Sequence, residues 1–369
     1  MKVLSVMKPY DKPLNAVGAS WAGCMLNNEL INHPEIEELA VVTNLPDYSP
    51  IDPRIDIFEV ETNPRKENRE LLEKTIDIYH RYNYDVVHLH IGSLGIIKWI
   101  AELVPDDVNL VYTLHTPTML GRSSVIYGKY GKLMNNKPNL RIVGPSDYMQ
   151  EVWHEFSDDP NEISNLHTVY NGVAFSGLDL VPSDKRNGKA IMCGRLTPMK
   201  RALEALQVAR DYQIPTIYIG NNFDLKDGKP DYYFEMCKEI LESCDNIEWI
   251  KHASNSEVLK MMSEATCLIT MSNQESFGLT VAEAVSVGTP VIYTTGGAVE
   301  EVLGYGDVGT KVEFVYRSTW HTRGKLVREA FDAISNQYDP QKLRDYFLDR
   351  YTLPKMAEGY ISIYQSLGV

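Results

Sequence analysis

Short apolar runs alternate with amphipathic helical stretches along the whole chain, and few folds accommodate that pattern. Runs such as Lys2–Met7 and Cys267–Met271 are apolar at successive positions, so both faces of each strand are covered, as in a parallel sheet flanked by helices. The expected strands of the first half are Lys2–Met7, Leu39–Thr43, Asp85–His90, Asn109–His115, Leu140–Pro145 and His167–Tyr170. Helical periodicity falls on Trp21–Asn32, Lys66–Tyr82, Ser93–Leu103 and Ser146–Phe156. Around Gly177–Gly188 (GLDLVPSDKRNG) the periodicity lapses and turn formers gather, which marks a linker. Strands then recur at Ala190–Cys193, Pro215–Ile219, Ile247–Ile250, Cys267–Met271, Pro290–Tyr293 and Lys311–Val315. Helices at Met199–Asp211, Tyr232–Ser243, Ser256–Ala265 and Thr280–Val287 separate them, and Arg323–Asn336, Pro340–Tyr351 and Pro354–Leu367 close the chain. At 369 residues the chain outgrows a single core. The expected architecture is therefore α/β: two doubly wound, Rossmann-like domains facing each other across a cleft, with ligands at the carboxyl ends of the strands.

Composition narrows the class. Hydrophobic residues make up 44%, and no apolar run approaches the roughly 18 residues of a bilayer span, so no stable membrane insertion is expected. The segment MKVLSVMKPYDKP lacks the apolar core of a signal peptide and reads as a first strand. The five cysteines (Cys24, Cys193, Cys237, Cys244, Cys267) are odd in number and form no CxxC pair, which fits free thiols in a reducing cytoplasm, the expected location. A net charge of −14 excludes a chain-wide polyanion-binding surface. One window departs from that balance: from Val108 to Ser146 there is no Asp or Glu, while Arg122, Lys129, Lys132, Lys137 and Arg141 all fall inside it.

Chemistry concentrates in Asn273–Pro290, NQESFGLTVAEAVSVGTP. Glu275 and Glu283 lie on either side of a turn at Gly278 that opens an apolar helix. Backbone N–H groups at a helix start attract phosphate, and carboxylates accept hydrogen bonds from hydroxyls. Upstream, AIMCGRLTPMKR (Ala190–Arg201) ends a strand at Gly194 and sets Arg195 and Lys200 ahead of another helix. Cations are disfavoured near a helix start, so their presence there points to an anionic ligand. Together the two segments offer partners for the diphosphate, ribose and sugar of a nucleotide sugar, with the diphosphate charge met by cations rather than a metal. His88, His90 and His115 sit at strand ends, where histidines are more often hydrogen-bonded than metal-ligating; no metal site is expected.

GRLTPMKR, the acidic pair within ESFGLTVAEAVSVGTPV, and NGV at Asn171–Val173 together resemble the retaining GT-B glycosyltransferases of the GT4 family, the glycosyl transferases group 1. The resemblance follows the motif order over nearly the whole chain and is strongest from Ala190 to Gly297. It implies the GT-B fold, with residues 1–180 binding the acceptor, 189–350 binding the donor, and a C-terminal helix (354–369) crossing back to the first domain. It implies a hexosyl- or pentosyltransferase that takes its sugar from a nucleotide diphosphate sugar (a UDP-sugar by family frequency) and places it on a hydroxyl acceptor. Configuration is retained, and no cofactor or metal takes part. By the same resemblance Arg195 and Lys200 hold the diphosphate, and Glu275 contacts sugar hydroxyls beside the reacting carbon. Ser276, Phe277, Gly278 and Leu279 present backbone amides, and Glu283 accepts the ribose hydroxyls. The Ile250–Ala253 turn, with His252, flanks the base. His115, in TLHTP, faces the donor sugar and completes a catalytic set with Lys200, Arg195 and Glu275. Gly18 and Ala19, in VGAS after the first strand, approach the diphosphate where the family more often carries two glycines.

The acceptor is open. The acid-free window begins in the strand ending at His115, and its segment Gly121–Arg141 joins cations to tyrosines. Arg122, Tyr127, Lys129 and Lys132 are the candidate acceptor contacts. Such a loop suits a phosphorylated or polyanionic acceptor. A hydroxymethylated pyrimidine flipped out of viral DNA is one candidate, and a saccharide or lipid-linked acceptor is the broader one. Two other classes stay open: a catalytically silent nucleotide-sugar binding protein and a sugar-nucleotide epimerase.

Overall fold

A computed structural model describes residues 1–7, 18–44, 52–63, 66–91, 95–116, 133–135, 137–154, 165–221, 231–294, 296–313, 320–335 and 337–369. The chain divides into two compact units: Met1–Ala174 with Tyr351–Val369, and Phe175–Arg350. Each is built around one wholly parallel sheet.

The sheet of the first unit has seven strands: β1 (Lys2–Met7), β2 (Glu38–Thr43), β3 (Asp56–Glu59), β4 (Val86–His90), β5 (Leu110–Thr113), β6 (Leu140–Gly144) and β7 (Leu166–Thr168). Their order is β3-β2-β1-β4-β5-β6-β7. Alternate side chains divide between two cores, as the period of two requires. Leu4, Val6, Val87, Leu89 and Tyr112 pack with the helices Glu67–Tyr82, Gly95–Leu103 and Asp147–His154. Val3, Met7, Val41, Val86 and Val111 pack with the helices Gly18–Leu30 and Leu353–Gln365. Burial on both faces explains why these strands read as unbroken apolar runs. β3 is the exception: an edge strand with three of its four residues exposed, it carries no apolar run for sequence reasoning to find.

The helix Leu353–Gln365 belongs to this unit although two hundred residues of chain separate it from most of the sheet, and polar contacts fix it there. The Tyr364 hydroxyl lies 2.7 Å from His88 Nδ1, His88 Nε2 lies 2.8 Å from Thr113 Oγ1, and Thr113 Oγ1 lies 2.9 Å from the Tyr360 hydroxyl. Arg141 closes the helix end by donating to the Ser366 carbonyl at 2.6 Å. Gly172, inside the NGV motif, lets two backbones cross: a Cβ there would lie 2.7 Å from Leu353 Cα. Burial holds His88, His90 and His115 in the neutral form, with His115 brought down to about 4. The unfolded chain takes up protons on these rings below about pH 6.5, whereas the folded unit resists them, so stability falls as pH drops through that range. Amide exchange of β4 and β5, corrected for intrinsic rates, should accelerate between about pH 7 and 5, by up to ~1.4 kcal/mol of protection per histidine per pH unit. Unchanged protection would contradict neutral burial.

The second unit repeats the winding with β8 (Ala190–Cys193), β9 (Thr216–Ile219), β10 (Ile247–Ile250), β11 (Cys267–Thr270), β12 (Val291–Tyr293) and β13 (Gly309–Lys311), in the order β10-β9-β8-β11-β12-β13. β13 falls short of the expected Lys311–Val315 because its pairing with Val291–Tyr293 starts at Gly309; residues 314 and 315 lie outside the described set. The segment 177–188, expected as a linker, is strapped to this unit. Arg186 donates to the carbonyls of Ala265 at 2.7 Å and Gly288 at 2.6 Å, and Arg344 donates to Leu178 O at 2.6 Å. Among the described residues no helix is long and apolar enough to cross a membrane.

Candidate active site

In a doubly wound sheet, ligands bind where the strand order reverses, beyond the carboxyl ends of the strands. In the second unit that point lies between β8 and β11. The chain leaving β8 turns at Gly194, passes Arg195, makes a short 3-10 turn over Pro198–Lys200, and enters the helix Ala202–Asp211 through Arg201 in the left-handed region (φ 47°). The chain leaving β11 runs through Asn273 and Glu275 to Gly278 and the helix Leu279–Ser286. The two loops are joined three times. Asn273 N donates to Met199 O at 2.9 Å, Arg201 donates to Asn273 Oδ1 at 2.6 Å, and Lys200 Nζ donates to Glu275 Oε1 at 2.5 Å.

A third strand of chain fixes Glu275. Its N–H donates to Gly296 O at 3.2 Å, and its carbonyl accepts from Ala298 N at 3.0 Å. Room for this crossing depends on glycine: a Cβ on Gly296 would fall 2.0 Å from Ser272 O. The Lys200–Glu275 pair is partly shielded, with side chains 25% and 14% exposed. Gly278 (φ 97°) caps the following helix without a side-chain hydrogen bond; Val281 N donates back to Gly278 O at 2.9 Å, which leaves the Leu279 and Thr280 amides of the first turn to a ligand. Phe277 is core-packed at 1% exposure, so a ligand can use its backbone but not its ring.

Glu283 lies one turn into that helix and is 7% exposed. Burial raises its pKa, and a hydrogen bond from Asn255 Nδ2 at 3.0 Å opposes the rise. At the end of β10, Ile250 O accepts from Gly220 N at 3.0 Å, and Lys251 lies over the Trp249 ring at 4.4 Å. His252 is exposed in the turn before the helix Asn255–Glu264.

The structure thus brings Lys200, Glu275, Gly278, Leu279 and Glu283 onto two adjacent loops and one helix, with Arg195 on the first loop and Ile250 and His252 at the end of β10. In the first unit Gly18 opens the helix after β1, while the loop 8–17 and the Ala19 side chain lie outside the described residues. His115 follows β5, 7% exposed, its Nε2 3.1 Å from His90 Nδ1. The candidate acceptor contacts Arg122, Tyr127, Lys129 and Lys132 lie outside the described residues. The other two cations of that window serve the fold: Lys137 donates to Val104 O at 2.6 Å, and Arg141 holds the C-terminal helix. Among the described residues no group of three or more His, Cys, Asp or Glu could hold a metal ion. Sequence reasoning missed Arg201, Asn273, Gly296 and Asn255. The first two flank motif residues, and nothing in the sequence links Asn255 to Glu283.

Known proteins resemble this chain in sequence and in fold. Residues 181–320 match the family described as glycosyl transferases group 1, and residues 41–176 match glycosyltransferase family 4. The chain is 25% identical over 272 residues to the D-inositol 3-phosphate glycosyltransferase of Jonesia denitrificans, covering 64% of this chain and 62% of that protein, less than two thirds of its length. It is 22% identical over 313 residues to the N-acetyl-alpha-D-glucosaminyl L-malate synthase of Bacillus anthracis, covering 80% of this chain and 78% of that protein. Among solved structures, Anabaena HepE in complex with UDP and glucose superposes with a TM-score of 0.74 at 15% identity, over 99% of this chain and 100% of that one. Sucrose-phosphate synthase from Thermosynechococcus elongatus superposes with a TM-score of 0.76 at 15% identity, over 100% of this chain and 99% of that one. Two Rossmann-like domains of this kind define the GT-B fold. Within that class the chain belongs to glycosyltransferase family 4.

Proposed function

We propose that this chain transfers a sugar from a nucleoside diphosphate sugar to a hydroxyl acceptor, retaining configuration and using no metal. The observation that carries this is the Lys200–Glu275 ion pair at the strand reversal, beside the open helix start after Gly278. Arg195, Lys200 and the amides from Ser276 to Leu279 meet the diphosphate, and Glu275 takes the sugar hydroxyls. Glu283 takes the ribose, and the turn at Ile250 and His252 flanks the base. Lys200 donates to Glu275; a bound diphosphate competes for the same ammonium. Neutral His115 hydrogen-bonds the sugar. As the bond from the anomeric carbon to phosphate breaks, the acceptor oxygen bonds on the same face, and its proton passes to the leaving phosphate oxygen. HepE, crystallised with UDP and with UDP-glucose, supports uracil as the base.

The names of both curated relatives carry a small anionic hydroxyl compound, D-inositol 3-phosphate and L-malate. We assign the acceptor of this chain to that class. Incubation with UDP-, GDP- and ADP-sugars, alone and with inositol phosphate, malate or hydroxymethylcytosine DNA, tests the assignment. Nucleotide release that depends on a small anion is expected. Release that depends on DNA would move the acceptor to nucleic acid, and binding without any turnover would make the chain a silent binder. Glu283→Ala should raise the donor KM about 10- to 100-fold with kcat largely kept, the measure of a lost hydrogen bond to a charged group. An unchanged KM would remove Glu283 from the ribose.

A further inference from the structure

Asn255 opens the helix Asn255–Glu264, whose N-terminus is already closed by a capping box between Ser254 and Glu257. Its amide is therefore free for another task, and it reaches across 28 residues of sequence to donate to Glu283 Oε1 at 3.0 Å. Among the described residues it is the one side chain that hydrogen-bonds this carboxylate. A buried carboxylate that must accept from a ligand needs a donor on its other oxygen, or burial favours its neutral form. We infer that Asn255 is a positioning residue for donor binding: its amide fixes Glu283 as an oriented carboxylate and leaves Oε2 to the ribose hydroxyls of a nucleoside diphosphate. This rests on the assignment of Glu283 to the ribose.

Three ionisable groups on the helices packed around Glu283 are engaged otherwise. Glu257 hydrogen-bonds Ser254, Glu300 pairs with Lys311 at 2.7 Å, and Arg344 donates to the carbonyls of Ser286 and Leu178. The Cys193 thiol on β8 is held protonated, by burial first and by the Glu283 charge second.

Two variants separate positioning from packing, and neither removes the capping box. The readout is the Kd for UDP at about pH 5.5 to 8, divided by the wild-type Kd at the same pH so that the ionisation of UDP cancels. In Asn255→Ala the carboxylate loses its donor and protonates at higher pH. Its Kd ratio climbs as pH falls, about tenfold for each unit by which the titration moves. In Asn255→Asp two carboxylates face each other, and below their upper titration one shared proton restores a donor. Its Kd ratio therefore falls toward one as pH falls. Slopes of opposite sign are the expected result; flat ratios, or slopes of the same sign, overturn the positioning role. A wild-type chain that binds none of UDP, GDP and ADP overturns the ribose assignment instead, so the two failures are distinguishable.

Discussion

Replacing Lys200 with alanine should lower kcat by about 10²- to 10³-fold, roughly 3–4 kcal/mol of transition-state stabilisation, while the donor KM shifts less than about tenfold. The asymmetry follows from where charge develops. The leaving diphosphate gains negative charge as the glycosidic bond stretches, so a fixed cation acts more strongly on the transition state than on the bound donor. Lys200 is set for this by a short turn whose far end is clamped by Arg201 on Asn273. Lys200→Ala also strands Glu275, a carboxylate 14% exposed, and that secondary effect must be separated. The double variant Lys200→Ala/Glu275→Gln does so. Measured against Glu275→Gln alone, the double variant would lose nothing further if Lys200 acted only by neutralising Glu275; if Lys200 acts on the diphosphate, the double variant stays slower than Glu275→Gln. Lys200→Arg should restore part of the rate, since the charge returns on a planar and bulkier group. Steady-state kinetics at saturating donor read all four, and a wild-type kcat for Lys200→Ala would take the lysine out of the reaction.

Gly296→Ala should be nearly as damaging without touching any charged group. The added carbon would lie 2.0 Å from Ser272 O, well inside any permitted contact, and the obstacle is backbone rather than a movable side chain. The loop must shift by more than about 1 Å, and Gly296 O is the acceptor for the Glu275 N–H, so the carboxylate shifts with it. A displacement of that size costs about 100-fold in kcat, with about 2–3 kcal/mol lost from the stability of the second unit. Gly306→Asn is the matched control. Gly306, unlike Gly296, has a positive φ (112°), but nothing lies within 4 Å of its Cβ position, so the cost there is local and the kinetics should be unaltered. Equal behaviour of the two variants would show that the crossing at Gly296 is not what seats Glu275.

Most of this fold was legible because parallel strands buried on both faces leave unbroken apolar runs: Lys2–Met7, Ala190–Cys193 and Ile247–Ile250 coincide with β1, β8 and β10. The strand that escaped, β3, is exposed along an edge, and the one displaced, β13, opens with Gly309 and Thr310, which carry no apolar signal. The four-residue helix Val299–Val302 is too short for periodicity to register. At the candidate site Arg195, Lys200, Glu275 and Glu283 could be singled out as candidates because GRLTPMKR and ESFGLTVAEAV each carry a turn with its own local signature. Their supports were not. Arg201 finds Asn273 over 72 residues of sequence, and Asn255 finds Glu283 over 28, distances at which no local pattern survives. Charge counting misled in one place: Lys137 and Arg141 look like part of a basic surface, but both spend their donors on backbone carbonyls.

The discontinuity of the first unit sets an order of assembly. Its seven strands emerge from the ribosome early, yet the side chains that cover one face of them, Met356, Tyr360 and Tyr364 among others, come only after all of the second unit. Until then His88 and Thr113 lack the two tyrosine hydroxyls that meet them in the folded unit. The face of the first unit that packs on the helices Glu67–Tyr82, Gly95–Leu103 and Asp147–His154 can close first, the core of the second unit next, and the other face of the first unit waits, half-covered, for the helix Leu353–Gln365.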